Sequence, residues 1–446
     1  MTRSTAAPRP FDDIPLERGW PVFGNTFKIL ADHRGFARKM YAKHGPIYRS
    51  RAFFGEQVVL LGPEANEFFF MDKQRKLSSA RGWAPYLEKL FPRSLMLMDF
   101  DEHRAHRKIM SVPFKTGPMK AYVARINKVA AAALQDWAGR GEFAFYPAIK
   151  QLSLDMAADI FLGLEPGPET ERINQALTDM VAASVAVIRA PLPGTRFRKG
   201  VKGRETMIAF LSAEIPKRRG SDAGDMFTIL CNATDEDGNA FTDTDIVNHM
   251  TFLWMAAHDT ITSSLTTLIY ELGRHPDWQD RLAEEIAALQ LNDPDLPYEV
   301  LGRMPLTEAA FKEALRINAP VPAIPRRLVS DTDFGGYHLP QDKEVSVHPG
   351  FSHHMPEVWP DPERFDPQRF TEEGGARERH KFAWVPFGGG AHMCLGLHFA
   401  YMAAKIFLAH ALAGHRFALR PGYRADFQII PIPKPKDGLP VTLKAA

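Results

Sequence analysis

The sequence predicts a mainly α fold with a small β portion, and three observations carry that prediction. Apolar residues recur at helical spacing across most of residues 63–315. Two later stretches, 326–347 and 429–443, change to short β-like runs. Between them, a glycine-rich loop around Cys394 feeds an apolar helical run over 395–410.

Composition bounds the rest. At 446 residues, 45% hydrophobic and 24% charged, the chain can bury a sizeable globular core. A formal charge of +2 is too balanced for a nucleic-acid binder or a polybasic membrane protein. Two cysteines argue against a disulfide scaffold and suit a reducing compartment. Residues 1–20 are polar and proline-rich, with no apolar run that could act as signal or anchor. The most apolar helical run, 251–270, carries His258 and Asp259 in its middle, which hydrocarbon would disfavour. A cytoplasmic protein without a membrane anchor is expected. Residues 8–446 should form a single domain behind a flexible tail, 1–7, since no repeat, low-complexity tract or dividing linker interrupts them.

In chain order, residues 8–26 hold Pro8, Pro10, Pro15 and Pro21 with Gly19 and Gly24, a rigid extended opening segment. Residues 47–61 alternate loosely and end at Gly62-Pro63, which predicts a hairpin. The helical stretch that follows is broken by Pro/Gly clusters near 112–118, 165–168 and 191–195. Residues 276–289 and 306–317 have helical spacing, and Pro276 suits a first turn, where no backbone N–H is needed. Asp333-Phe-Gly-Gly-Tyr337 predicts a turn between short strands, and 359–370 a proline-rich coil.

Phe387-Gly-Gly-Gly-Ala-His-Met-Cys394-Leu-Gly396 is the most informative stretch. A thiolate that ligates iron must approach the metal from a loop whose backbone also comes close. Glycines at 388, 389, 390 and 396 allow that, through positive φ and the lack of a side chain. The helix after Cys394 presents amide N–H groups and a positive dipole end, which favour ionised sulfur and tune its donation to iron. Cys231 lacks such surroundings and reads as a core or surface thiol. The loop resembles the heme-binding signature of the cytochrome P-450 family, Phe-x-x-Gly-x-(Arg or His)-x-Cys-x-Gly, at every fixed position. The resemblance implies the cytochrome P-450 fold, a heme b cofactor with Cys394 as iron ligand, and Phe387, Gly396 and Ala256 against the cofactor.

Other motifs follow in the family's order. Glu313-x-x-Arg316 precedes Pro367-Gln-Arg-Phe370, which precedes the cysteine loop. By resemblance, Glu313, Arg316 and Arg369 form a buried structural triad; Gln368 stands where the family more often has Glu. Two further Glu-x-x-Arg pairs, 169/172 and 271/274, share the spacing but not the order. His103-x-x-x-Arg107 resembles the family's propionate clamp, and Arg326 and His392 match its other two propionate positions. Met255-Ala-Ala-His-Asp-Thr260 sets an acid beside an alcohol in an apolar helix. That pair suits proton delivery to bound oxygen in a site that excludes water. It resembles the family's oxygen-side motif, with Asp259 and Thr260 as catalytic residues. Ala257 replaces the usual Gly, so a smaller helix distortion is expected.

The resemblance covers nearly the whole chain. Within the family, Pro433-Lys-Pro-Lys-Asp-Gly-Leu439 and His-Asp-Thr are most similar to sterol demethylases and retinoic-acid hydroxylases. This implies a monooxygenase that hydroxylates or epoxidises a lipophilic terpenoid, retinoid, sterol-like molecule or fatty acid with O2. The family's cavity segments correspond to Trp83, Tyr86, Met255, Ala256, Val321, Ile324, Ile429 and Ile430. A peroxide-driven enzyme would have less use for Asp259/Thr260, and a gas or redox sensor would need no such pair. No flavin or nicotinamide fingerprint is present, so electrons must come from separate proteins. Arg104, Lys108, Lys115, Lys120, Arg377, Arg379 and Lys381 should form a positive face for an acidic iron–sulfur ferredoxin, itself served by a reductase, with a flavodoxin-type donor as the alternative.

Overall fold

The computed structural model describes residues 7–53, 55–291 and 295–446. Residues 1–6 of the expected tail lie outside the described residues. The centre is the 32-residue helix Asp243–Arg274, started by Thr242, whose hydroxyl accepts from the Asp245 amide. It packs against helices Phe145–Leu162 and Pro305–Ile317. The helix is buried almost all round although its sequence is rich in hydroxyls. Thr251, Thr262 and Thr266 each donate to the carbonyl four residues earlier, so their burial leaves no hydroxyl unmade.

Among the described residues, strands form one sheet of six and three smaller ones. The hairpin is present as Ile47–Ala52 antiparallel to Gly55–Leu60. The second strand pairs in parallel with Glu344–Val347, which pairs antiparallel with Ile324–Leu328. That last strand turns Arg326 into the protein and leaves Arg327 half-buried, the alternation a pleated strand imposes. Asp333–Tyr337 is the expected turn, with Gly335 and Gly336 at positive φ.

Two expectations are corrected. The opening segment contains a short 3-10 turn, Phe11–Asp13, and is not extended throughout. Residues 429–433 form no strand; pairing is confined to Phe427–Gln428 with Lys434–Pro435, and to Pro440–Ala445 between His415–Ala418 and Glu142–Ala144. Among the described residues, one helix is long and apolar enough to cross a membrane, Leu397–Gly414, and not the run 251–270. Its packing against helices Thr116–Ala138, Pro276–Ala287 and Pro305–Ile317 makes it a core helix.

Candidate active site

The loop that carries Cys394 closes on itself through the Cys394 amide, which donates to the Phe387 carbonyl at 2.9 Å. The Phe387 ring is held between Trp384 and Tyr401. Gly390 is required sterically: φ is +62°, and an added Cβ would lie 1.9 Å from the Phe70 carbonyl oxygen. Gly388 also has positive φ, but Gly389 and Gly396 do not. Gly396 instead caps helix Leu397–Gly414, so the helix begins three residues after Cys394. Burial raises the Cys394 thiol pKa, while the Gly396 amide and the Arg107 charge oppose the rise. The side chain is solvent-accessible yet enclosed by protein, the combination expected of a group facing an internal cleft.

His103, Arg107, Arg326 and His392 converge beside this loop from three separate segments. The His103 and His392 rings lie 3.9 Å apart between centroids. Arg107 Nη2 donates to the Met393 carbonyl at 2.6 Å, and Arg326 Nη1 to the Phe69 carbonyl at 2.6 Å. Burial, then the neighbouring cations, hold His103 near 4 and His392 near 2, so both rings are neutral at pH 7. Arg326 is held down to about 10, by burial first. Among the described residues none of the four has a carboxylate at ion-pair distance, and His103 Nε2 is buried without a hydrogen-bond partner. A buried donor set of this kind is costly unless anionic acceptors complete it. The residues present therefore fit the propionates of a heme.

The oxygen-side motif lies within the long helix Asp243–Arg274. Within residues 245–272 of the long helix, only Leu253, Met255, Ala256, Ala257, Asp259 and Thr260 retain exposure. A patch of this kind in a buried helix marks a cavity wall. Thr260 Oγ1 donates to the Ala256 carbonyl at 2.7 Å, and the helix runs unbroken through Ala257. The hydroxyl proton is thus committed to the helix, which leaves the oxygen as an acceptor. Asp259 Oδ1 lies 3.5 Å from His258 Nδ1; burial keeps the His258 pKa near 4, so that ring is neutral. Tyr146 also neighbours Asp259, and burial followed by the Asp259 charge pushes its pKa up to about 12. Tyr146 was not read from the sequence, since only tertiary packing brings it here.

Of the expected pocket residues, Trp83 and Met255 pack on the main core, as does Ala256. Trp83 touches Tyr86 edge-on, and Tyr86 is itself exposed. Val321, Ile324 and Ile429 are half-buried. Ile430 packs instead against the cluster of Phe36, Met40 and Phe351.

Glu313 and Arg316 are fully buried and joined by two hydrogen bonds, 2.7 and 2.8 Å. Arg369 Nε lies 3.4 Å from Glu313, an ion contact without hydrogen-bond geometry. Arg316 also donates to the carbonyls of His353, Pro362 and Arg364, which ties the coil over 359–370 to the core. Nearby Glu271 is pushed up to about 7, by burial first, with Arg274 opposing and Glu313 adding. A carboxyl that binds its proton more tightly when folded contributes stability that is full below about pH 4.5 and lost as pH rises through 7. Glu271→Gln should remove that loss, on the order of 1–3 kcal/mol. Unfolding free energies at pH 5 and pH 8 check this, and an unchanged pH slope would contradict it.

The expected positive face is thinner than its sequence suggested. Lys108 pairs with Glu236, Lys120 with Glu299 and Arg377 with Glu372. Arg379 is drawn inward and donates to the carbonyls of Arg369 and Gly374. Arg104, Lys115 and Lys381 are exposed and have no ion pair among the described residues. Arg104 shares a helix, Phe100–Met110, with Arg107, which holds the Met393 carbonyl. Lys115 and Lys381 adjoin Phe114 and Phe382, which lie against Gly396 and Gly389. Lys115 and Lys381 are thus next in sequence to residues that touch the cysteine loop.

Comparison with known proteins identifies the family. The Cytochrome P450 family model matches residues 14–432. The putative cytochrome P450 136 of Mycobacterium tuberculosis is 37% identical over 96% of this chain and 88% of its own. Taxane 10-beta-hydroxylase of Taxus cuspidata is 27% identical over 89% of this chain and 82% of its own. The solved structure of retinoic acid-bound cyanobacterial CYP120A1 superposes with a TM-score of 0.88 at 30% identity, covering 99% of this chain and 100% of that one. The chain belongs to the cytochrome P450 family of monooxygenases, whose cofactor is a heme iron.

Proposed function

We propose that this protein uses O2 and two electrons from separate redox partners to hydroxylate or epoxidise a lipophilic small molecule. The observation that carries this reading is the half-buried patch within the long, otherwise buried helix, where an acid and an alcohol adjoin Met255, Ala256 and Ala257. A mostly apolar wall with few polar groups suits a lipophilic substrate. The relatives named for taxane hydroxylation and retinoic acid binding favour a terpenoid or retinoid over a fatty acid. A panel of such compounds, scored by the spin-state change of the ferric protein, tests the class. Spin shifts confined to small polar ligands would contradict it.

Cys394 would hold a heme b, which would supply the oxygen-activating chemistry. His103, Arg107, Arg326 and His392 would hold its propionates, and Phe387, Gly396 and Ala256 would lie against it. Met255, with Trp83, Tyr86, Val321, Ile324 and Ile429, would line the substrate side. Thr260, its proton given to Ala256, can accept a hydrogen bond from a proton-bearing group in the cavity, while Asp259 passes protons inward. Thr260→Ala should keep its heme yet divert electrons to hydrogen peroxide. Product per NAD(P)H should fall by roughly tenfold or more. Equal coupling in variant and parent would contradict the assignment.

The electron donor is proposed to be an acidic iron–sulfur ferredoxin with its own reductase. The exposed cations Arg104, Lys115 and Lys381 support this, as does Met393, an apolar side chain 40% exposed at the loop's surface. Reversing the three cations to Glu should slow first electron transfer severalfold at low salt and flatten its salt dependence, since exposed charges are screened over about 10 Å at 0.1 M. An unchanged rate and slope would place the donor elsewhere. Both cysteines are free, which suits the reducing cytoplasm.

A further inference from the structure

Helix His33–His44 and the segment over 350–357 enclose a pocket of about 240 Å³, apart from the residues assigned above to heme and oxygen. Arg34 lines it. Arg34 Nη1 donates to the Ile317 carbonyl at 3.1 Å and to His354 Nε2 at 2.8 Å. His354 Nδ1 lies 2.8 Å from the Gly350 carbonyl, which can only accept. The ring therefore carries its proton on Nδ1, accepts from Arg34 through Nε2, and is neutral.

Both acceptors of this half-buried guanidinium are thus uncharged. Among the described residues no carboxylate lies at ion-pair distance from Arg34; Glu363, the acid whose charge acts on it most, pairs with Arg38 on the outside, and Asp32 acts less. Nε and Nη2, with three N–H groups, make no hydrogen bond to the described residues. A planar fork with donors to spare at a pocket is the arrangement that matches a carboxylate bidentately.

We infer that this pocket binds a small organic carboxylate, held by Arg34 with Arg38 at its side. The other walls define the class further. Tyr41, Phe351 and Met355 offer an apolar seat for a compact body, and Glu357 opposes any anion, but a dianion such as phosphate or sulfate more than a single carboxylate. The inference is independent of the catalytic reading.

The test uses the heme-loaded protein with benzoate as probe and inorganic phosphate as comparison. Binding is followed by thermal shift, while the ferric spectrum reports any benzoate that enters the heme cavity. Benzoate should raise Tm saturably with the spectrum unchanged, and phosphate should do less. Arg34→Gln should weaken the benzoate response about tenfold or more, by loss of the charged hydrogen bonds. Ala42→Trp, an exposed position on the pocket wall, should weaken it similarly while it leaves the Arg34 contacts in place. No saturable response, an equal response in Ala42→Trp, or phosphate binding in preference to benzoate would each overturn the inference.

Discussion

Glu313→Leu is expected to cost about 3–5 kcal/mol of stability, because it strands two buried guanidinium groups without their counter-charge. Arg316 is fully buried and Arg369 nearly so. Glu313 accepts two hydrogen bonds from Arg316 and one from the Asp366 amide, and no other carboxylate among the described residues lies within ion-pair distance of either Arg316 or Arg369. The loss should be largest in the coil over 359–370, since Arg316 holds that coil through three carbonyls. Denaturant unfolding of variant and parent measures it. Glu169→Leu is the control: its pair with Arg172 has the same spacing but is exposed, and should contribute no more than about 1 kcal/mol. Similar losses from the two variants would contradict the assigned role of burial.

That contrast shows what was legible in the sequence. All three Glu-x-x-Arg pairs form ion pairs, at 3.2, 3.3 and 2.7 Å, because i and i+3 side chains share a helix face. Spacing alone could not rank them; the order of motifs along the chain could, and the fully buried pair is the one that order selected. The cysteine loop was legible as a loop needing close backbone approach. Which glycines take positive φ was not, since that depends on where Phe70 and the following helix lie. The cation face was read too generously for a related reason. Glu236 and Glu299, which pair with Lys108 and Lys120, are far away in sequence, so only the fold reveals that those charges are spoken for. Arg34 carried no local signal at all; its significance comes from neutral acceptors contributed by distant segments.

The second large effect concerns Cys394, and complete loss of function is expected from its replacement. The glycine loop, the Gly396 amide and the Arg107 charge surround this sulfur alone. Cys231 lies in helix Met226–Asn232, buried in the core, where burial raises its pKa to about 11. Iron binding would displace the Cys394 proton that burial otherwise favours, which links ligation to the metal itself. The most direct test is the absorption spectrum of the reduced, CO-bound protein, for the parent and for Cys394→Ser. The parent should absorb at the position diagnostic of thiolate ligation, and Cys394→Ser should lose that band while Cys231→Ser retains it. A parent without the band, or a Cys394→Ser spectrum identical to the parent's, would contradict the assignment of Cys394 as the iron ligand.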